Sequence, residues 1–169
     1  MFQAWWPLLR DPKYPDNDVE IAAGGSTMTQ RSVAEELFDW PTDEPRLRAT
    51  RCEDCAFIAF PPQNTCPSCG GEQVTPTALS RTGTLWTWTR QRFQPKNPPY
   101  IGREPAQEFE PYGVGYIELP EGRVEARIAG DVEQDLRIGM PMELTVVPFA
   151  TDEDGTEVLT FAFRPVEGS

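Results

Sequence analysis

The four cysteines of the chain all fall within "RCEDCAFIAFPPQNTCPSCG" (51–70), spaced as C-x2-C, ten residues, C-x2-C. Each pair, Cys52 with Cys55 and Cys66 with Cys69, fits a tight turn whose two sulfurs face one point. The ten-residue link is long enough for a hairpin that brings the two turns together. Four thiolates in a tetrahedron are the preferred surroundings of structural zinc. Two disulfides would suit an exported protein, and a single iron in a rubredoxin-like site is a further alternative, since "CPSCG" has the look of a rubredoxin knuckle. Of the three, the short separation between the knuckles favours Zn2+. Such a site is closed, because four protein ligands leave no position for water or substrate, and its metal holds a fold. One asymmetry stands out: Gly70 follows the second pair, where it relieves a left-handed turn, but Ala56 follows the first.

The surrounding chain sets the scale. Its 169 residues suit one ordinary domain or a small core with an attached module, and 18 prolines with 13 glycines predict turns and strands over long helices. No run of about 18 apolar residues occurs, as a membrane-spanning helix would need. The start, "MFQAWWPLLRDPKYPDND", lacks the basic segment of a secretory signal. A cytoplasmic protein without membrane attachment is the expectation. With no histidine, no cysteine outside the cluster and only Lys13 and Lys96 as lysines, the usual general base, thiol nucleophile and most Schiff-base candidates are missing. The acidic clusters "EFEP" and "TDEDG" read as solvated turns. The chain is therefore expected not to be an enzyme by itself.

Four regions are expected. Residues 1–28 form an N-terminal extension with Trp5 and Trp6, and Met28 is a candidate start of the functional chain. A helical segment follows over 29–45, where Ser32 and Glu35 make a capping box and Val33, Leu37 and Phe38 share a face until Pro41 ends it. Residues 46–75 are the rubredoxin-like ribbon. Over 76–169 the pattern turns to β: "GTLWTWTRQRF", "YGVGYIEL" (112–119), "GRVEARI" (122–128), "MELTVVPF" (142–149) and "EVLTFAFRP" (157–165). Five such strands suit an OB-like barrel, with an SH3-like barrel as the structural alternative. Trp86 and Trp88 share a strand parity, which assigns them to one face and at least one of them to the core.

The net charge of −12 counts against a nucleic-acid-binding OB module, the main alternative function, because phosphate backbones are held by many cationic side chains. The charge is uneven. Between Gln73 and Arg103 no acid occurs, while Arg81, Arg90, Arg92, Lys96 and Arg103 all lie there. A solvated basic face is the plain reading, and an anion site for a small phosphorylated ligand is the sharper one.

Taken in order, "RLRATRCEDCAFIAFPPQNTCPSCG", "GTLWTWTRQRF", "PYGVGYIELPEGR", "LRIGMPMELTVVPF" and the final "FAFRP" resemble the zinc-ribbon plus OB-fold acyl-CoA-associated proteins, formerly a domain of unknown function. The resemblance runs from about Thr29 to Val166. It implies a mainly β fold with a short N-terminal helix, a four-cysteine ribbon and a five-stranded OB-like barrel. It further implies a noncatalytic accessory subunit of a thiolase-like enzyme, a thiolase or a retro-aldolase of the kind that shortens steroid side chains, in a hetero-oligomer that handles acyl-CoA. Under that reading Arg90 and Arg92 would meet phosphates, while Trp88 and Phe93 would offer flat apolar surface to a base or acyl group. Two residues depart from the family pattern: Ala56 stands in place of a usual Gly, and Gln63 in place of a frequent Arg.

Overall fold

The computed structural model describes residues 19–23, 26–96, 102, 104–130 and 136–166. Trp5, Trp6, Lys13 and Arg103 lie outside them. Ten strands follow in chain order: β1 (Val19–Ala23), β2 (Ser26–Ser32), β3 (Arg48–Cys52), β4 (Ile58–Ala59), β5 (Val74–Ala78), β6 (Thr82–Gln91), β7 (Tyr112–Leu119), β8 (Gly122–Ile128), β9 (Pro141–Thr151) and β10 (Glu157–Pro165). No helix among the described residues is long and apolar enough to cross a membrane.

The five C-terminal strands close a barrel. β6 pairs antiparallel with β7 and β9, β7 with β8, and β9 with β10, while β10 completes the ring by running parallel to β8. This is the connectivity of a five-stranded OB barrel, and closure removes the exposed edges that an open sheet would present. Alternation builds the interior. Along β7 the buried positions are Gly113, Gly115, Ile117 and Leu119, and along β8 they are Val124, Ala126 and Ile128. The two strands meet through a two-residue loop, with Leu119 opposite Gly122. Leu85, Met142, Leu144, Phe161 and Phe163 complete the barrel core. Fully burying side chains of this size contributes about 1.5–3 kcal/mol each.

β3, β4 and β5 form the ribbon sheet in the order β4-β3-β5. Leu47, Ala49 and Leu79, at the barrel-facing side of the ribbon, belong to the same buried cluster as the barrel residues. Phe161 of the barrel receives Phe38 and Phe60 edge-on, with ring centroids 6.0 and 5.8 Å away. A polar clamp reinforces the joint: the Ser80 hydroxyl donates to the Glu121 carboxylate at 2.8 Å and the Ser80 N–H lies 3.2 Å from both its oxygens.

The expected N-terminal helix is replaced by strand and turn. β2 pairs with β1 and runs parallel to β10 through Gln30, Arg31 and Ser32. Ser32 Oγ accepts the N–H of Ala34 at 3.2 Å, a local turn in place of the capping box on Glu35. Phe38 bridges to Leu47, while the N–H groups of Asp39 and Arg48 donate to Arg46 and Leu37 carbonyls. The few residues before Pro41 would have to nucleate a helix for very few hydrogen bonds, whereas the neighbouring chain satisfies these groups at once. A second expectation also changes. A bulge lies between Leu85 and Thr87, which pair with the consecutive residues Ile117 and Tyr116. Trp86, next to the buried Leu85, lies on the surface, and the extra residue shifts the parity so that Trp88 packs against the core.

Gly83 opens β6 at a point of backbone contact. A Cβ there would run into the carbonyl oxygen of Glu118 and come within 2.7 Å of a Leu119 methyl. The carbonyl belongs to the barrel ladder and cannot retreat cheaply. Gly83→Ala is therefore expected to destabilise the fold by about 1–3 kcal/mol, read as a lower denaturant midpoint at unchanged slope. An unchanged midpoint would show that the β6–β7 pairing shifts freely.

Candidate metal centre and barrel ligand face

The two cysteine turns are built alike. Ala56 N–H donates to the Cys52 carbonyl at 3.0 Å and Gly70 N–H to the Cys66 carbonyl at 2.9 Å, while the N–H groups of Cys52 and Cys66 donate to the Phe57 and Gly71 carbonyls. Cys52 and Cys66 are buried, and Cys55 and Cys69 are exposed. The four sulfurs lie within 4.8 Å of one another, with 3.7 Å between Cys52 and Cys69 and 3.6 Å between Cys55 and Cys66. Tetrahedral zinc with Zn–S bonds of about 2.3 Å requires about 3.8 Å between sulfurs. The donor set thus fits structural Zn2+ in geometry and in chemistry.

Electrostatics point the same way. Burial pushes the Cys66 thiol up, but the backbone N–H groups of Cys69 and Ser68, with the thiols of Cys55 and Cys69, outweigh it and bring it down to about 7. For Cys69 the Gly71 N–H favours the thiolate, yet the crowding of Cys55, Cys52 and Cys66 prevails and holds it up at about 12. One sulfur ionises easily and its neighbour then resists. A bound dication removes that conflict, because it lets all four thiolates coexist.

Ala56 adopts φ 59°, the same left-handed turn that Gly70 adopts at φ 76°. The missing glycine leaves the knuckle's shape intact, and the alanine carries the strain. At the other departure from the family pattern, Gln63 N–H donates to Thr50 Oγ1 at 3.0 Å and its side chain to the Pro61 carbonyl at 3.3 Å.

At the far end of β6 the barrel gathers aromatic and basic groups. Trp88 and Arg90 lie opposite Gly115 and Gly113, whose missing side chains leave room for large inward-facing neighbours. Arg90 is half-buried, its Nε fully so. β6 ends at Gln91, so Arg92 lies beyond the strand and the two-residue period does not carry it onto the same face as Arg90. Arg92 and Lys96 are exposed, and Phe93 is 80% exposed. The following loop is tied by side-chain amides, Gln91 to the Phe93 carbonyl at 2.5 Å and Gln94 to the Glu104 carbonyl at 2.6 Å. Arg81 lies apart from this group and faces Glu143 at 3.6 Å, so the basic run is not free of acids in space.

Three residues at this end escaped the sequence reading. Tyr112 pairs with Gln91, and the Arg127 guanidinium lies 4.2 Å over its ring and 5.7 Å from that of Phe149. Burial raises the Tyr112 phenol, with Arg127 opposing and Glu104 adding to the shift. The signal was present in the outward positions of "YGVGYIEL" and "GRVEARI", but cross-strand stacking depends on register, which those segments do not state.

Two substitutions test the metal centre. Cys66→Ser is expected to abolish stoichiometric zinc and unfold the ribbon, since metal-binding energy is folding energy in such a module; metal analysis finding full occupancy would contradict this. Ala56→Gly is expected to raise stability by about 1 kcal/mol by relieving the left-handed alanine, measured on the zinc-loaded protein as a higher melting temperature.

Comparison with known proteins agrees with this architecture. Residues 39–75 match the ChsH2 rubredoxin-like zinc ribbon domain and residues 76–147 the ChsH2 C-terminal OB-fold domain. A benzoylsuccinyl-CoA thiolase subunit, BbsA of Thauera aromatica, is 33% identical over 134 residues, covering 78% of this chain and 85% of the relative. A DUF35 domain-containing scaffold protein of Methanocaldococcus jannaschii is 28% identical over 124 residues, covering 72% of this chain and 82% of the relative. Among solved structures, the Ltp2-ChsH2(DUF35) aldolase aligns with a TM-score of 0.51 at 28% identity, over 71% of this chain and 84% of that one. With both domain models matched in tandem and a relative this similar over most of its length, the chain belongs to the ChsH2 family of zinc ribbon plus OB-fold proteins.

Proposed function

We propose that this protein is a noncatalytic accessory subunit of a thiolase-like enzyme, a thiolase or a retro-aldolase, working as a cytoplasmic hetero-oligomer on acyl-CoA. The observation that carries this reading is the similarity, over most of both chains, to a protein named as a thiolase subunit. The similarity to a scaffold protein and to a partner of an aldolase supports it. The chemistry is consistent: a four-thiolate site leaves the metal no open position, and a chain without histidine has no ordinary general base. Acyl-CoA would meet the end of the barrel where β6 leaves the sheet, with Arg90 and Arg92 toward phosphates and Trp88 and Phe93 toward apolar parts. Arg92 and Phe93 are the exposed members of that set and Trp88 and Arg90 its half-buried base. This also makes the first two the better probes, since their loss leaves the core intact.

Capture of the tagged chain from its native host, with identification of what accompanies it, tests the partnership; a thiolase-fold enzyme is expected, and its absence would overturn the reading. For the ligand, Arg92→Gln combined with Phe93→Ala in the assembled complex should weaken acyl-CoA binding roughly tenfold or more, because a charge-assisted contact is worth about 1.5–3 kcal/mol. The melting temperature should hardly move, as exposed charges add little to stability. Wild-type affinity in that variant would remove this face from the site.

A further inference from the structure

The barrel exposes a second aromatic group, on the side that faces the ribbon and away from the end of β6. Trp86, next to the fully buried Leu85 on β6, is 43% exposed on the outer surface. Its ring meets Tyr116 edge-on at 6.2 Å, and the Arg123 guanidinium lies 3.9 Å above it. Arg123 is held in turn by Glu118, at 2.9 and 3.1 Å, and Tyr116 bonds to Glu125, which raises its phenol. Arg123 also lines a groove of about 450 Å³ between ribbon and barrel. The ribbon wall of that groove is Phe57, Phe60, Pro61 and Pro67, and its barrel wall includes Val124 and Glu121. Phe57 is 43% exposed at the rim.

We infer that this groove, with Trp86 and Tyr116 beside it, is the docking surface for the enzyme partner, and that it receives an apolar side chain flanked by lysine or arginine. The inference rests on the reading of the chain as an accessory subunit and names the surface that reading requires. Three observations argue for it. Exposed Trp, Tyr and Phe gathered around one arginine have the composition of an interface hot spot, whereas isolated surface apolar residues need no explanation. The surface is also held ready: Arg123 fixes the Trp86 ring, and the Ser80–Glu121 clamp fixes ribbon against barrel, so little ordering remains to be done on binding. Finally, the surrounding charge selects the occupant. Glu118, Glu121 and Glu125 outnumber Arg123 around the apolar centre, Arg127 further along β8 being stacked over Tyr112, and the chain's net charge is −12, so a basic rim on the partner is the complement.

The test uses the full chain, wild type and Phe57→Ala/Trp86→Ala, with the purified thiolase-fold partner identified by capture, titrated by calorimetry. Zinc content and melting temperature are checked for both forms. Wild type should bind, and the double variant should keep its zinc while losing tenfold or more in affinity. A second variant, Glu118→Lys/Glu125→Lys, leaves the apolar residues in place and should also weaken binding, by less at high salt than at low. If both variants bind as wild type does, the docking surface is wrong while the accessory reading stands. If wild type captures no thiolase-fold enzyme, both fall. If wild type alone forms a dimer that Phe57→Ala/Trp86→Ala dissolves, the occupant is a second copy and the inference is overturned.

Discussion

Neither half of this protein buries its apolar surface alone, and that constraint organises the structure. The ribbon is a short three-stranded sheet with a four-cysteine site suited to zinc, and its Leu47, Ala49 and Leu79 are buried in the cluster shared with the barrel. The barrel, for its part, presents Phe161 beside Phe38 and Phe60. Small modules rarely build a sufficient core, and the usual remedies are a metal, a disulfide or a neighbour. Here two remedies are combined: zinc fixes the knuckles and the barrel covers the rest. The Ser80–Glu121 clamp sits where the chain passes between the two modules, so it sets their relative orientation.

That joint has consequences for what the surface can do. Because ribbon and barrel share a core, the groove between them is a fixed feature, and the same β7–β8 hairpin supplies Glu121 of its turn to the clamp and Arg123 and Val124 of β8 to the groove. The opposite end of the barrel is different in kind. There the chain leaves β6 at Gln91 into a loop tied by side-chain amides, and the aromatic and basic groups are split between strand and loop. One face is thus suited to rigid contact with a protein surface. The other divides its aromatic and basic groups between the strand and the residues that follow it.

The parts legible in the sequence were those fixed by short-range chemistry. Cysteine spacing specified the metal, and alternation located β7, β8 and β10 at the bounds the sequence suggested. Where the reading failed, a longer-range pairing had prevailed. The stretch around Ser32 carries a helix-start pattern, but its backbone is claimed by β10 and by the Leu47–Arg48 segment, neither of which is visible locally. The two tryptophans of β6 were assigned one face because nothing in "LWTWT" announces a bulge; the extra residue is defined only against Ile117 and Tyr116 on the partner strand. The same blindness hid the stacking of Arg123 on Trp86 and of Arg127 on Tyr112, since both depend on register.

The bulge connects fold to surface most directly. Had β6 run without it, strict alternation from the buried Leu85 would send both Trp86 and Trp88 outward and leave the space opposite Gly115 unfilled. A gap of that size would leave its lining without packing partners. One inserted residue turns Trp88 inward to fill that space, while Trp86 stays outside and rests against Arg123 and Tyr116. An exposed tryptophan is costly to keep in water, and its apolar area is recovered only when something covers it. Bulges often re-aim a side chain next to a binding site. In this barrel the re-aimed side chain is Trp88, and the tryptophan left outside lies through Arg123 beside the groove that the ribbon helps to form.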